Sequence, residues 1–458
     1  MVVSPSACGY HKRMTINLQK RTPCIELLAP DSLQRLAAYQ TLWVGLSGGL
    51  DSVVLLHQVA HQPAVKGQVS AVHIHHALSP HADAWLEHCQ SLCAAWGVPL
   101  IERHVLFDRL ANIEENARNA RYDAFAALMA DGDGLLLAHH ADDQAETVLL
   151  QLFRGAGIDG MAAMLEVKPL GLGELVRPFL MHTRNTLEAY ARRLQLTWVE
   201  DESNQDGAFS RNYLRHQIMP LLQRKWPGVV KNLVRTAQHC QQAKENLAAL
   251  AQLDGEGIGE NTLSLAALQP LDHARSANVL RAWLMNNQIR MPSTETFNRI
   301  MTDVVFARED GEGGVAWDGV GVRRYQNALY LFNHNSMHCS ENLDWPLFPG
   351  QRDLNASGGH LRAAIADAGL HVPKGRRVEV RFRKGGERFY WRGQTKSLKQ
   401  LFQQWRVPPW LRHTVPLIYI DDQFAAVVGF AVSDTHYREN VSYTYQIDLH
   451  REPACPSH

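Results

Sequence analysis

Apolar positions change their spacing along the chain. Across roughly the 42–201 stretch, short apolar runs alternate with longer segments in which apolar residues recur every three or four positions. That alternation is the mark of repeated βα units around a parallel sheet. The runs predict strands at 42–46, 69–75, 100–105 and 135–139, with shorter ones at 175–177 and 198–200. Helical spacing predicts helices over 53–59, 84–96, 113–129, 145–153 and 186–194. A doubly wound α/β domain is expected, over about 38–215 after an extension at 1–37. From Asn212 to about Val305 the spacing turns almost wholly helical, through Leu214, Ile218, Leu221, Leu222, Val230, Leu233 and Val234, and predicts a helical middle domain at 216–335. Gly-, Asn- and Pro-rich stretches at 311–314 and 333–349 read as linkers. Strand-like alternation at 378–382, 417–420 and 425–430, with one helix near 398–405, predicts a small mixed α+β domain at 350–450.

Composition narrows the class. A chain of 458 residues has room for two or three domains. Its 45% hydrophobic and 20% charged content excludes a disordered chain and a fibre. Forty-six basic residues balance forty-six acidic ones, so a uniformly basic nucleic-acid coat is excluded and charge has to be read locally. Seven cysteines form no CxxC pair and no zinc spacing, and no apolar run approaches the roughly 20 residues of a membrane span. The first residues are polar and basic, without a hydrophobic signal core. A soluble cytoplasmic protein is expected, with Met14 an alternative start to Met1.

The sharpest chemical signal is Ser47-Gly48-Gly49-Leu50-Asp51-Ser52, between the first strand and an apolar helix. A glycine pair there lets the backbone approach an anion, and the next helix offers unpaired N–H groups and the positive end of its dipole. Ser47 and Ser52 add hydroxyls, and Asp51 is placed to hold a magnesium ion on phosphate oxygens. An ordinary Gly-rich turn is the plainer alternative. Gly45-x-Ser47-x-Gly49 also fits a hydrolase nucleophile elbow, but only some forty residues precede it, too few for the upstream strands an elbow needs. Gly155-x-Gly157-x-x-Gly160 follows a predicted helix, where a dinucleotide fingerprint follows a strand. A Walker A sequence is absent.

A second cluster is His139-x-x-Asp142-Asp143-x-x-Glu146 at the next strand-to-helix junction. Asp143 and Glu146, three apart, share a helix face. Acids at a helix start stabilise it without further function, yet at the carboxyl edge of a sheet they also suit a cationic substrate or a metal. Glu114 and Arg118 are spaced for a solvated helix pair, and Arg118 and Arg121 can both face a cleft. His73, His75 and His76 read as strand-edge residues lining a nucleotide pocket. Between Lys374 and Lys399 ten Lys/Arg face two acids, interleaved with Phe382, Phe389, Tyr390 and Trp391, a composition suited to phosphates and unstacked bases or, more plainly, to a solvated basic face. Arg224, Lys225, Lys231 and Arg235 add cations suited to backbone contacts.

These motifs together resemble a known family. The 47–52 loop looks like the pyrophosphate-binding SGGxDS loop of the N-type ATP pyrophosphatases (PP-loop superfamily). With Glu114-x-x-x-Arg118-x-x-Arg121-Tyr122, the 139–147 cluster, Arg154-Gly155-x-Gly157-x-x-Gly160, Asp201-x-Ser203-Asn204, Arg211-Asn212-x-x-Arg215 and the late Val407-Pro408-Pro409-Trp410-Leu411-Arg412, the pattern resembles the tRNA(Ile)-lysidine synthetases beyond the first forty residues. The resemblance implies a ligase that uses ATP and Mg2+ to join free L-lysine to the wobble cytidine of tRNA(Ile) with a CAU anticodon, through an adenylated cytidine. It implies that Ser47, Gly48, Gly49, Leu50, Asp51 and Ser52 bind the nucleotide. Asp51, His139, Asp143, Glu146, Arg118 and Arg211 would form the catalytic set, with Asp143, Glu146 or His139 as the candidate base. A homodimer is an assembly it leaves open. A tRNA thiolase or an amidotransferase sharing the loop is the nearer alternative, disfavoured by the unpaired cysteines and by Val2 in place of an N-terminal cysteine. A tRNA-binding module without activity is the more distant one.

Overall fold

The computed structural model describes residues 26–75, 81–107, 113–200, 210–255, 262–307, 313–333, 342–354 and 359–451. His76 and the Asp201-x-Ser203-Asn204 motif lie outside the described residues. Two compact units emerge, Met1–Glu245 and Asn246–His458.

The first unit is a βα repeat. Its elements are α1 (Pro30–Leu36), β1 (Leu42–Gly45), α2 (Leu50–Ala60), β2 (Val69–His75), α3 (Ala82–Trp96), β3 (Leu100–His104), α4 (Ile113–Ala126), β4 (Gly134–Leu136), α5 (Ala141–Phe153), α6 (Ile158–Met161), β5 (Val167–Leu170), β6 (Gly173–Val176) and α7 (Arg184–Arg193). They form one six-stranded sheet in the order β3-β2-β1-β4-β6-β5, with every pairing parallel except β5 on β6. Strands buried on both faces need continuous apolar runs, and Leu42, Val44, Val72, Leu135, Leu136 and Leu175 are each almost wholly buried in the layers above and below the sheet. The chain leaves β1 toward β2 on one side and returns to β4 on the other. That reversal opens a crevice at the carboxyl ends of β1 and β4, the place where an open α/β sheet binds ligands.

The expected strand at 198–200 is absent. Val199 belongs to no strand, and its N–H donates to the Gly48 carbonyl at 3.0 Å, so this segment packs on the 47–52 loop instead of joining the sheet. The β5–β6 hairpin is an addition, since only 175–177 was foreseen. After α7 follow α8 (Ser210–Tyr213), a π-helical turn (Leu214–Ile218), α9 (Met219–Lys225) and the long α10 (Val229–Asp254), within which the two units divide.

In the second unit the helices His273–Asn286 and Thr294–Ile300 cover a four-stranded sheet (Thr262–Ser264, Gly314–Trp317, Val320–Tyr325, Ala328–Asn333) around Trp283, Leu280, Val304, Val322 and Leu329. The foreseen helical middle thus carries a sheet as well, and Gly314 of the expected linker opens one of its strands. The remainder is β-rich: a five-stranded and a four-stranded sheet, the Arg388–Trp391/Gln394–Ser397 hairpin and one helix, Leu398–Gln404.

Candidate active site

The 47–52 loop occupies the β1 side of the crevice. Gly48 has φ +85°, and a Cβ there would stand 3.0 Å from Val199 Cγ2 and 3.2 Å from Cys89 Sγ, so both conformation and space demand glycine. Gly49 is the N-cap of α2 and provides no capping side chain, which leaves the first-turn N–H groups of the helix for an anion. The hydroxyls serve the loop itself. Ser52 Oγ donates to the Gly49 carbonyl at 2.9 Å and accepts the Ser47 N–H at 3.2 Å, and Ser47 Oγ lies 3.1 Å from Ser52 Oγ. Backbone N–H groups, more than hydroxyls, are therefore the donors held ready. Leu50 belongs to the apolar core by its side chain, so it can contribute only its N–H. Beneath the loop, buried His73 places Nδ1 2.8 Å from the Leu46 carbonyl, and buried His75 pairs with Asp83 at 3.1 Å. Both rings are buried at the end of β2.

Asp51 Oδ1 is buried without a hydrogen-bond partner, while Oδ2 lies 3.6 Å from His140 Nε2. An orphaned carboxylate oxygen beside a turn whose helix-start N–H groups have no side-chain cap fits a magnesium ion. Among the described residues no group of three His, Cys, Asp or Glu can hold a metal. Such an ion would complete its shell with phosphate oxygens and water, as magnesium usually does.

Across the crevice, α5 presents the acids. His140 caps it: Asp143 Oδ2 accepts the His140 N–H at 3.1 Å, and Nδ1 lies 3.4 Å from the Asp143 N–H. Burial alone would lower the His140 pKa, but the nearby Asp51 carboxylate and the charges of Asp143 and Asp142 raise it. Asp142 accepts the Arg184 N–H at 2.8 Å, tying α5 to α7. Glu146, 2% exposed, receives Arg211 Nε at 2.8 Å and Arg215 Nε at 2.6 Å, and Asp143 Oδ1 receives Arg211 Nη2 at 3.1 Å and Arg215 Nη2 at 2.8 Å. Burial would raise the Asp143 pKa, but His140, Arg211, Arg215 and His139 overcome it and hold the value at about 2. The structure thus joins Asp143, Glu146 and Arg211 in one network.

His139 stands between this network and a second set of cations. Its pKa falls to about 3, first through burial and then through Arg177, Arg211 and Arg118, against the pull of Asp143. Arg118 lies over the Tyr122 ring, 5.1 Å from its centroid, and Lys168 Nζ approaches that ring equally closely. Burial would raise the Tyr122 pKa, but Arg118, Arg177 and Lys168 lower it. Arg118 does not contact the acids directly. His140, Arg215 and Arg177 complete the site beyond the expected set. His140 was visible as the residue before a helix rich in early acids, and Arg215 as the fourth residue after Arg211, but nothing in the sequence marked Arg177.

In the second unit the basic stretch is smaller than its composition. Arg376 pairs with Asp421, Arg377 with Asp344 and Glu379, Arg381 with Glu379 and Asp422, and Arg383 with Glu387. Phe382 and Phe389 are core residues. Exposed Lys374, Lys384, Arg388, Arg392 and Lys399, with half-buried Lys396 and exposed Tyr390, are the outward cationic and aromatic groups that these ion pairs leave.

Comparison with known proteins agrees with this architecture. The chain matches the PP-loop domain family over residues 24–222, the TilS substrate binding domain over 263–330 and the TilS substrate C-terminal domain over 378–448. It is 50% identical over 416 residues to the tRNA(Ile)-lysidine synthase of Legionella pneumophila (strain Paris), spanning 90% of this chain and 96% of that protein. The enzymes of that name from Serratia proteamaculans (strain 568) and Coxiella burnetii (strain RSA 493 / Nine Mile phase I) are 39% and 37% identical, each over 89% of this chain and over 95% and 92% of their own. With a PP-loop at the switch point of its sheet and this identity along nearly its whole length, the chain belongs to the tRNA(Ile)-lysidine synthase family.

Proposed function

We propose that this chain ligates L-lysine to C2 of the wobble cytidine of tRNA(Ile) bearing a CAU anticodon, giving lysidine, AMP and diphosphate. The observation that carries the reading is the uncapped start of α2 at the β1/β4 crevice, with Asp51 Oδ1 unpartnered beside it and the α5 acids opposite. ATP fits there with its β- and γ-phosphates on the first-turn N–H groups. The cytidine O2 attacks the α-phosphorus, the bond to the bridging oxygen breaks, and diphosphate leaves. Those N–H groups stabilise the charge that develops on it. Asp51 would hold Mg2+, which on binding neutralises phosphate charge. The lysine Nε then attacks C2, and the C2–O bond breaks to release AMP.

The acids are placed to orient the amine, but Asp143 is a poor base for it. His140, Arg211, Arg215 and His139 hold the Asp143 carboxyl well below the usual carboxylate range, which makes it a weak acceptor for an ammonium proton. Asp143 and Glu146 are placed to hold the ammonium, and the amine that attacks is the fraction that has lost its proton to bulk solvent at the working pH, a cost of about 3.4 pKa units at pH 7 for a group of pKa about 10.4. An arriving ammonium has to share or replace an arginine contact, since Arg211 and Arg215 already occupy both carboxylates.

The anticodon base is single-stranded, so reaching the crevice requires no duplex melting. Residues 216–335 and 350–450 hold the rest of the tRNA, with Lys384 and Arg388 among the phosphate contacts. No helix among the described residues is long and apolar enough to cross a membrane. A cytoplasmic site follows from the substrates. The test is incubation with magnesium ATP, labelled lysine and unmodified tRNA(Ile). Label in the tRNA supports the reading, and none, with ATP bound, refutes it.

A further inference from the structure

His139 stands where a base for the amine would be sought. β6 runs parallel to β4 with Val176 opposite Leu136, so Arg177, one residue beyond β6, leaves the sheet beside the segment that leads to His139. Arg177 Nε reaches His139 Nδ1 at 3.3 Å. A guanidinium only donates, so Nδ1 supplies the lone pair. The arginine is fixed in place. Its residue is 3% exposed, Nη1 donates to the Leu165 carbonyl at 2.6 Å, and its backbone N–H donates to the Glu166 carbonyl at 2.8 Å.

From this geometry we infer that Arg177 is a positioning residue that fixes His139 as the Nε2–H tautomer, a hydrogen-bond donor to the substrates and not the base that deprotonates the amine. A neutral imidazole carries one N–H, and with Nδ1 facing a donor that hydrogen is on Nε2. Acting as a base would require a second proton at Nδ1. It would set an imidazolium N–H against a guanidinium N–H, losing the hydrogen bond and opposing two positive charges. Arg118 and Arg211 add to that opposition, and Asp143 alone offsets it. The acceptor for Nε2–H is an oxygen that carries or gains negative charge: the cytidine O2, an α-phosphoryl oxygen or the lysine carboxylate. The choice of acceptors rests on the proposed function, whereas the tautomer does not.

Two measurements on the full chain test this. In substrate-free protein with 15N-labelled histidine, His139 being assigned from its absence in His139→Gln, the ring near neutral pH shows a protonated Nε2 and a bare Nδ1. In Arg177→Met the two tautomers mix. A protonated Nδ1 in the wild-type ring overturns the inference.

Kinetics supply the second readout. Gln places an amide N–H near the position of Nε2, so His139→Gln keeps kcat within about tenfold while His139→Ala loses about 100-fold, the scale of one lost transition-state donor. Arg177→Lys recovers part of the kcat lost in Arg177→Met, with KM for ATP unchanged. Equal losses in the Gln and Ala variants overturn the donor role. A wild-type chain that binds ATP but neither releases diphosphate nor incorporates lysine would instead refute the proposed function, and the tautomer would still be decided by the spectrum.

Discussion

Glu146→Gln is the perturbation whose size the structure fixes best. The carboxylate is 2% exposed and receives three guanidinium contacts, Arg211 Nε at 2.8 Å and Arg215 Nε and Nη2 at 2.6 and 2.9 Å. Glutamine keeps the shape but removes the charge and turns an N–H2 toward two donors. Breaking a fully buried pair costs about 3 to 5 kcal/mol. Both arginine side chains are about a quarter exposed and keep Asp143, so the lower end, about 3 kcal/mol, is expected. For a unit of this size that corresponds to a fall of about 6 to 12 °C in Tm. Thermal unfolding of the wild type, Glu146→Gln, Arg215→Met and the double variant gives the coupling energy directly. A loss below about 1 kcal/mol with no coupling would mean a solvated surface pair and refute the buried network. The same variant raises KM for lysine while leaving ATP affinity unchanged, which a purely structural role for Glu146 would not produce.

Other outcomes follow from the same geometry. Gly48→Ala forces a left-handed φ on alanine at a cost of about 1 to 2 kcal/mol and crowds Val199, so ATP affinity measured by calorimetry falls while the fold persists. Asp51→Ala abolishes diphosphate release but spares tRNA affinity, and normal turnover in that variant would remove its metal role. Charge reversal at Lys384 and Arg388 weakens tRNA binding and flattens its salt dependence in filter-binding titrations. The Asp143 pKa is depressed in the fold from 3.8 to about 2, so its stabilisation, about 2 kcal/mol, is present above the unfolded value and disappears as pH falls toward 2. Acid unfolding of Asp143→Asn lacks that component.

The parallel sheet was legible because strands buried on both faces must be written as apolar runs, and the runs near 42, 69, 100 and 135 all became strands. The hairpin Val167–Leu170/Gly173–Val176 was hidden by its length, four residues a strand, and by Pro169 and Gly171. The middle sheet escaped because Thr262–Ser264 is only three residues long among helices, and the other three strands, packed closely over 314–333, adjoin the Gly-rich 311–314 stretch read as a linker. At the site, residues whose role depends on neighbours in sequence were readable: the 47–52 turn and the Asp143/Glu146 face. Arg177 was not, because its partner His139 reaches it across adjacent strands, 38 positions away. Composition overstated the basic segment, since only the fold shows Arg376, Arg377, Arg381 and Arg383 already paired with acids.

The most direct test of the account is a crystal structure with a non-hydrolysable ATP analogue and magnesium. The account predicts the β- and γ-phosphates within hydrogen-bond distance of the first-turn N–H groups of α2, with Asp51 on the metal and the α-phosphorus turned toward His139 and Asp143. A triphosphate lodged elsewhere, with the 47–52 turn untouched, would contradict it.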